Sequence, residues 1–259
     1  MAELVDIHSH LLAGDGPGSM DAALGIIRME YSMGMRHQFC TPVIESPADF
    51  GGIEEIKGKM EQLETSCRAE FPDLRLYLGF EVRPSFDIAG ALKKGVPLSM
   101  AGTRYVLIGP GDDFCRAGAP EILSLIDAGY IPVLAHPEHT RFFRREPEAL
   151  EGYVSAGVLL QINIPSIMGV YGNEIKEFAD QLLRLRWVSF AAADNKKQHF
   201  EARLFTGYQY IVANWRKSKA DLLLVENGMK LINNETIDNS AAYPWKPVRK
   251  PFFKKLFGV

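Results

Sequence analysis

The stretch VDIHSHLL, Val5–Leu12, decides how the rest of the chain is read. It begins with apolar, β-branched residues and then carries two histidines separated by one serine. Side chains two apart in a strand point to the same side, so a strand here puts Asp6, His8 and His10 on one face. Two imidazoles on one face begin a metal cradle. The remaining donors must then come from elsewhere in the chain.

The bulk properties narrow the field. With 259 residues, 47% of them hydrophobic, the chain can bury one barrel-sized core or two smaller ones. A net charge of −3 gives no reason to expect nucleic-acid binding. The start lacks the basic-then-apolar pattern of a secretory signal, and no apolar run reaches the ~18 residues of a membrane span. Three cysteines, Cys40, Cys67 and Cys115, make no disulfide framework and fit a reduced, cytoplasmic setting. They also exclude a thiolate phosphatase of the usual form. That chemistry needs an arginine six positions after the cysteine, and the chain has Ser46, Asp73 and Glu121 there.

Seven β-rich runs are expected, at 3–8, 36–43, 74–82, 104–109, 131–136, 157–163 and 187–193, with amphipathic helices between several of them. Ser19 is placed to cap a helix starting near Met20, with Asp21 favourable in its first turn. Gly34, Gly129 and Gly157 stand where a left-handed helix C-cap precedes a strand. Alternating strands and helices imply parallel strands with right-handed crossovers, in a closed barrel or an open doubly wound sheet. The chain divides into 1–238 and a tail at 239–259. From Tyr243 onward the tail has five basic residues and no acid, interleaved with Phe252, Phe253, Leu256 and Phe257. It reads either as a solvated tail or as a segment for peripheral membrane or partner contact.

A barrel collects its chemistry at the C-terminal ends of its strands. His8 and His10 fall at the end of the first run, Glu81 in GFEV, His136 in VLAHPEH and Asp194 in FAAAD, while Asp15 follows in the loop AGDGPGS. Singly, His136 could be a hydrogen-bonded structural residue, Glu81 and Asp194 helix caps, and Asp15 a turn former. As a set at strand ends, imidazoles mixed with carboxylates suit Zn²⁺, Mn²⁺ or Fe²⁺.

DIHSHLL, DGPGS, CTP, GFEVR, RYVLIG, GYIPVLAHPEH, LQINIPSIMGVYG and AADN together carry a resemblance running from about Val5 to Ile237. The chain resembles the PHP (polymerase and histidinol phosphatase) family, most closely the bacterial manganese-dependent tyrosine phosphatases of capsule and exopolysaccharide operons. Gln161, Asn163, Ser166, Gly169 and Gly172 match without being ligands. The resemblance implies an α/β fold, a distorted seven-unit β/α barrel of PHP type that is TIM-barrel-like. It implies a three-metal centre in which His8, His10, Asp15, Glu81, His136 and Asp194 are retained. Val43, Gly109 and Lys196 stand where a histidine, a glutamate and a histidine are expected, and His139 where an arginine is usual, with Arg141 two residues on. Valine and glycine offer no lone pair, and an ammonium repels a cation. Fewer than three ions are therefore expected, with manganese foremost and iron or zinc as alternatives.

The activity implied is hydrolysis of a phosphate monoester, phosphotyrosine on a membrane-linked tyrosine autokinase. Arg83 and Arg141 are then phosphate contacts and His139 a proton donor to the leaving phenolate. The partner implied is the kinase or its phosphotyrosine tail, with a homo-oligomer also compatible, and the setting cytoplasmic or membrane-associated. The three substituted positions equally fit a non-catalytic relative that binds phosphotyrosine or the kinase. A deaminase of amidohydrolase type also begins with H-x-H, but leaves the later motifs unexplained.

Overall fold

The computed structural model describes residues 3–12, 16, 19–111, 119–195 and 204–245. Asp15, Cys115, Lys196 and residues 246–259 of the tail lie outside them. Among the described residues, nine strands form two parallel sheets: β1 (Leu4–Asp6), β2 (Met35–Cys40) and β4 (Arg75–Leu78) in one, and β3 (Val43–Ile44), β5 (Glu81–Val82), β6 (Tyr105–Ile108), β7 (Ile131–Ala135), β8 (Leu159–Asn163) and β9 (Val188–Ala192) in the other.

The nine strands are the seven expected runs with two of them broken. The run expected at 36–43 divides into β2 and β3 around Thr41 and Pro42, and that at 74–82 into β4 and β5 around Gly79 and Phe80. Proline has no N–H to give to a ladder, so a break at Pro42 follows from its chemistry. The gap is bridged by Gly79 N–H donating to Cys40 O (3.0 Å) and Glu81 N–H to Pro42 O (3.1 Å). The first halves, β2 and β4, pair with each other, with β1 on the far side of β2, and the second halves, β3 and β5, pair with each other, with β6 on the far side of β5, which distorts the barrel without opening it at this point.

Closure between β9 and β1 is made differently. Asp6 Oδ1 accepts from Ala193 N–H (3.2 Å), and Asp194 N–H donates to His8 O (3.1 Å). The helical segment Leu222–Ile232 packs against both strands. Asn227 Nδ2 donates to Ser189 O of β9 (2.8 Å). Gly228 lies so close to β1 that a Cβ there would stand 2.6 Å from Val5 Cβ.

Side chains alternate between two cores. Leu4, Cys40, Val106, Ile108, Leu134, Leu160, Ile162 and Ala191 join the helices in the larger cluster. Val5, Phe39, Tyr105, Leu107, Val133, Leu159 and Phe190, at alternate positions, form a second cluster that fills the barrel interior. The expected helix signals operate locally. Ser19 Oγ accepts from Ala22 N–H (3.2 Å) at the start of the helix Met20–Ser32, and Gly34, Gly129 and Gly157 adopt φ of 106°, 83° and 100°. At the base, Trp187 Nε1 donates to Tyr243 O (2.7 Å) and Trp245 N–H to Glu151 Oε1 (3.1 Å), so residues 243–245 lie against the body.

Candidate metal centre

The two interior faces of β8 and β9 turn polar at their C-terminal ends. Leu159 is followed two and four residues on by Gln161 and Asn163, and Ala192 by Asp194, all buried. His136 leaves β7 at φ 33° and Asp194 leaves β9 at φ 47°. Non-glycine residues in this region carry a cost of about 1–3 kcal/mol and concentrate at functional sites. Glu81 is the first residue of β5. His8 and His10 follow β1, held in place by Thr41 N–H donating to Ser9 O (2.8 Å) and Ser9 Oγ donating to Phe39 O (2.6 Å).

These elements bring five side chains to one point. His8 Nε2 lies 3.2 Å from Glu81 Oε2 and 3.8 Å from Asp194 Oδ1. His10 Nε2 lies 3.3 Å and 3.1 Å from the same two atoms, and His136 Nε2 lies 3.4 Å from Glu81 Oε1. Two overlapping groups, His8–Glu81–His136 and His8–His10–Asp194, each place their donor atoms within 4.8 Å of one another. Nitrogen and oxygen donors about 2.0–2.2 Å from a tetrahedral ion stand roughly 3.4 Å apart. The donor set and its spacing therefore fit a transition-metal ion. Burial alone would raise the Glu81 carboxyl, but the imidazoles of His10, His136 and His8 outweigh it and hold the group well below the ordinary carboxylate range.

Asp6 does not join this group, contrary to the one-face expectation. β1 ends at Asp6, the ladder stops, and the two-residue alternation no longer governs His8 and His10. The Asp6 carboxylate instead faces Gln38 and the backbone N–H groups of His8 and Ala193, and burial raises it to about 6. Asp15 and Lys196 fall outside the described residues. Val43 pairs in register with Glu81 and supplies no donor. At Gly109 a Cβ would stand 2.0 Å from Glu81 Oε1 and 2.7 Å from its Cγ, so the carboxylate occupies the space any larger residue would need.

Of the three residues expected around a phosphate, Arg83 stands at the rim. Its Nη1 donates to Glu81 Oε1 (3.3 Å) and Gly109 O (3.2 Å), and its Nε to Glu45 Oε2 (3.1 Å). His139 lies edge-on to Tyr171 (ring centroids 4.5 Å apart) and to His136 (5.7 Å), with Nε2 2.9 Å from Ser166 Oγ. Arg141 is exposed at the start of the helix Arg141–Arg145, and its side chain makes no hydrogen bond or ion pair among the described residues. Arg144, which stands in no motif, holds the turn before it by donating to Glu138 O (2.8 Å) and His139 O (2.6 Å). Glu138 is buried, which raises its carboxyl; its Oε1 accepts from Asn163 N–H (2.8 Å). Gln161, Asn163 and Ser166 were legible only as motif matches; their hydrogen bonds needed the fold.

YwqE of Bacillus subtilis, a tyrosine-protein phosphatase, is 29% identical over 260 residues, covering 98% of this chain and 99% of its own. A solved structure from the work on YwqE and on CpsB of Streptococcus pneumoniae, described as metal-dependent tyrosine phosphatases, superposes with a TM-score of 0.81 at 28% identity. It covers 93% of this chain and 99% of its own. A 5-methylcytosine deaminase from Klebsiella pneumoniae shares the fold alone, at 12% identity and a TM-score of 0.53 over 90% of this chain and 75% of its own. The model of capsular polysaccharide synthesis proteins CpsB/CapC matches residues 4–233. With the fold and nearly the whole chain in agreement, the protein belongs to the CpsB/CapC family of capsular polysaccharide synthesis.

Proposed function

We propose that this chain is a metal-dependent phosphomonoester hydrolase that removes phosphate from the tyrosines of a bacterial tyrosine autokinase controlling capsular polysaccharide export. The observation that carries this reading is the convergence of His8, His10, Glu81, His136 and Asp194 at the C-terminal mouth of the barrel. His8, His10, Glu81 and Asp194 hold the principal ion, with manganese foremost, and Asp15 and His136 serve a neighbouring position. A bound ion supplies Lewis-acid stabilisation of the phosphoryl oxygens and lowers the pKa of the attacking water.

The chain's own residues do the rest. Arg83, at the rim beside Glu81, offers positive charge to the phosphate, as does Arg141 if the phosphopeptide draws it in. His139 faces the space between His136 and Tyr171 and gives a proton to the leaving phenolate as water oxygen bonds to phosphorus. The centre holds fewer than three ions. Val43 beside Glu81 and the Glu81 side chain lying over Gly109 support this, since valine offers no lone pair and the Glu81 carboxylate occupies the space a side chain at 109 would need. Arg83 reaches Glu81 Oε1 and Gly109 O at that same place and supplies part of the missing positive charge.

No described helix is long and apolar enough to cross a membrane. The basic, aromatic tail is suited to peripheral contact at a membrane-linked kinase. The same donor-poor positions favour one second reading, a protein that binds the phosphotyrosine tail without turnover. Purified protein with Mn²⁺ and an aryl phosphate separates the two. Turnover that His8→Ala abolishes is the expected result. No turnover together with retained phosphopeptide binding supports the scaffold.

A further inference from the structure

Gln161 and Asn163 are fully buried at the mouth and form a hydrogen-bonded line from Asp194 to His8. Asn163 Nδ2 donates to Asp194 Oδ2 at 2.6 Å. A carboxylate oxygen only accepts, so this contact fixes the Asn163 amide with its nitrogen toward Asp194 and its oxygen away. Asn163 Oδ1 then accepts from Gln161 Nε2 at 2.9 Å. That in turn leaves Gln161 Oε1 facing His8 Nδ1 at 2.9 Å, and a second acceptor there requires the proton to sit on Nδ1.

We infer that Gln161 and Asn163 are positioning residues of the metal pocket, a two-amide relay that sets His8 in its Nδ1–H tautomer and aims Asp194 Oδ1 at the imidazoles. With Nδ1 turned to Gln161, Nε2 faces Glu81 Oε2 (3.2 Å) and Asp194 Oδ1 (3.8 Å). Nε2 is then the nitrogen of His8 that a cation between it and the carboxylates would use. In the other neutral tautomer, Nδ1 would set a lone pair against Gln161 Oε1. The relay removes that alternative. Its parts come from one strand because positions 161 and 163 continue the interior face begun by Leu159. Groups that hold ligands from behind in this way fix ring orientation and tautomer at metal sites generally.

The part of this inference that concerns metal rests on the function proposed above; the tautomer does not. Gln161→Met fills the same volume and removes both hydrogen bonds. Mn²⁺ affinity, measured by titration of the full chain, is expected to fall about 10–100-fold. In metal-free protein labelled with ¹⁵N in the histidine rings, the His8 signals, identified by their loss in His8→Ala, are expected to show Nδ1–H in the wild type and a tautomer mixture in Gln161→Met. Asn163→Leu should act in the same direction, and the double variant no more strongly than the stronger single one, because the groups act in series. The inference is overturned if wild-type His8 carries no proton on Nδ1, if Gln161→Met keeps wild-type Mn²⁺ affinity, or if its affinity falls while His8 stays Nδ1–H. Should the wild type take up no Mn²⁺, the metal reading fails, and the tautomer change alone decides the relay.

Discussion

The two ends of the barrel use the same residue types for opposite purposes. At the mouth, His8, His10 and His136 crowd against Glu81 and Asp194, and the donor atoms face one another. Toward the base, His37 of β2 stacks on Tyr77 of β4 (ring centroids 5.9 Å apart) with Nδ1 3.0 Å from the phenolic oxygen. The layer around it is apolar: Val5, Phe39, Tyr105 and Ile237. Tyr105 OH donates to Glu235 O, and Trp187 is buried under residues 243–245. One end satisfies its polar groups with hydroxyl and backbone partners and is stabilised by packing. The other gathers charge that packing alone does not neutralise. A histidine thus takes its role from what the neighbouring strands place opposite it.

Substitutions at the two ends should separate stability from metal binding. His8→Ala is expected to have the largest effect, abolishing turnover and cutting Mn²⁺ affinity by more than the roughly 10–100-fold that outer-shell losses cost; equilibrium dialysis and an aryl phosphate assay measure both. Near-normal binding in that variant would dissolve the distinction between mouth and base. At the base, Trp187→Ala should lower unfolding free energy by about 3–5 kcal/mol in urea melts and leave the Mn²⁺ affinity of the folded protein unchanged. A matching loss of affinity would mean that the ends are coupled. Gly109→Ala adds one methyl group into the Glu81 side chain and is expected to weaken Mn²⁺ binding roughly 10-fold, with a modest fall in melting temperature. Unchanged affinity would show that Glu81 has room to move.

The smallest expected effect is on acid stability. Burial lowers the His37 pKa, with Glu3 opposing and Arg75 assisting, so the unfolded chain binds the proton more readily than the folded one. Stability is then held above the ordinary histidine value near 6.5 and lost as pH falls below it. His37→Gln should flatten the melting temperature between pH 7.5 and 5.5. An unaltered slope would assign the acid sensitivity to other groups.

Much of this was legible in advance. Ser19, Gly34, Gly129 and Gly157 act through local backbone chemistry, and each performs its expected role. The seven β-rich runs were legible because alternation of apolar residues reports two cores directly. The breaks at Pro42 and Gly79 were not read, although Pro42 carries a signal for one of them. Asp6 was misassigned to the face of His8 and His10 because alternation was extended past the last paired residue. The hydrogen bonds of Gln161 to His8, Asn163 to Asp194 and Ser166 to His139 left no local signal, since those partners lie 27 to 153 residues away.

By itself the sequence determined the parallel β/α architecture, the strand ends that carry imidazoles and carboxylates, and the family resemblance. Helix caps, alternation and motif spacing are properties of neighbours in the chain. Only the tertiary structure decided that His8, His10, Glu81, His136 and Asp194 meet, that Arg83 reaches Glu81, and that Asp6 turns elsewhere. Those outcomes depend on which strands pair, and in what register. Pairing is fixed by burial of the whole barrel and by no single stretch of it.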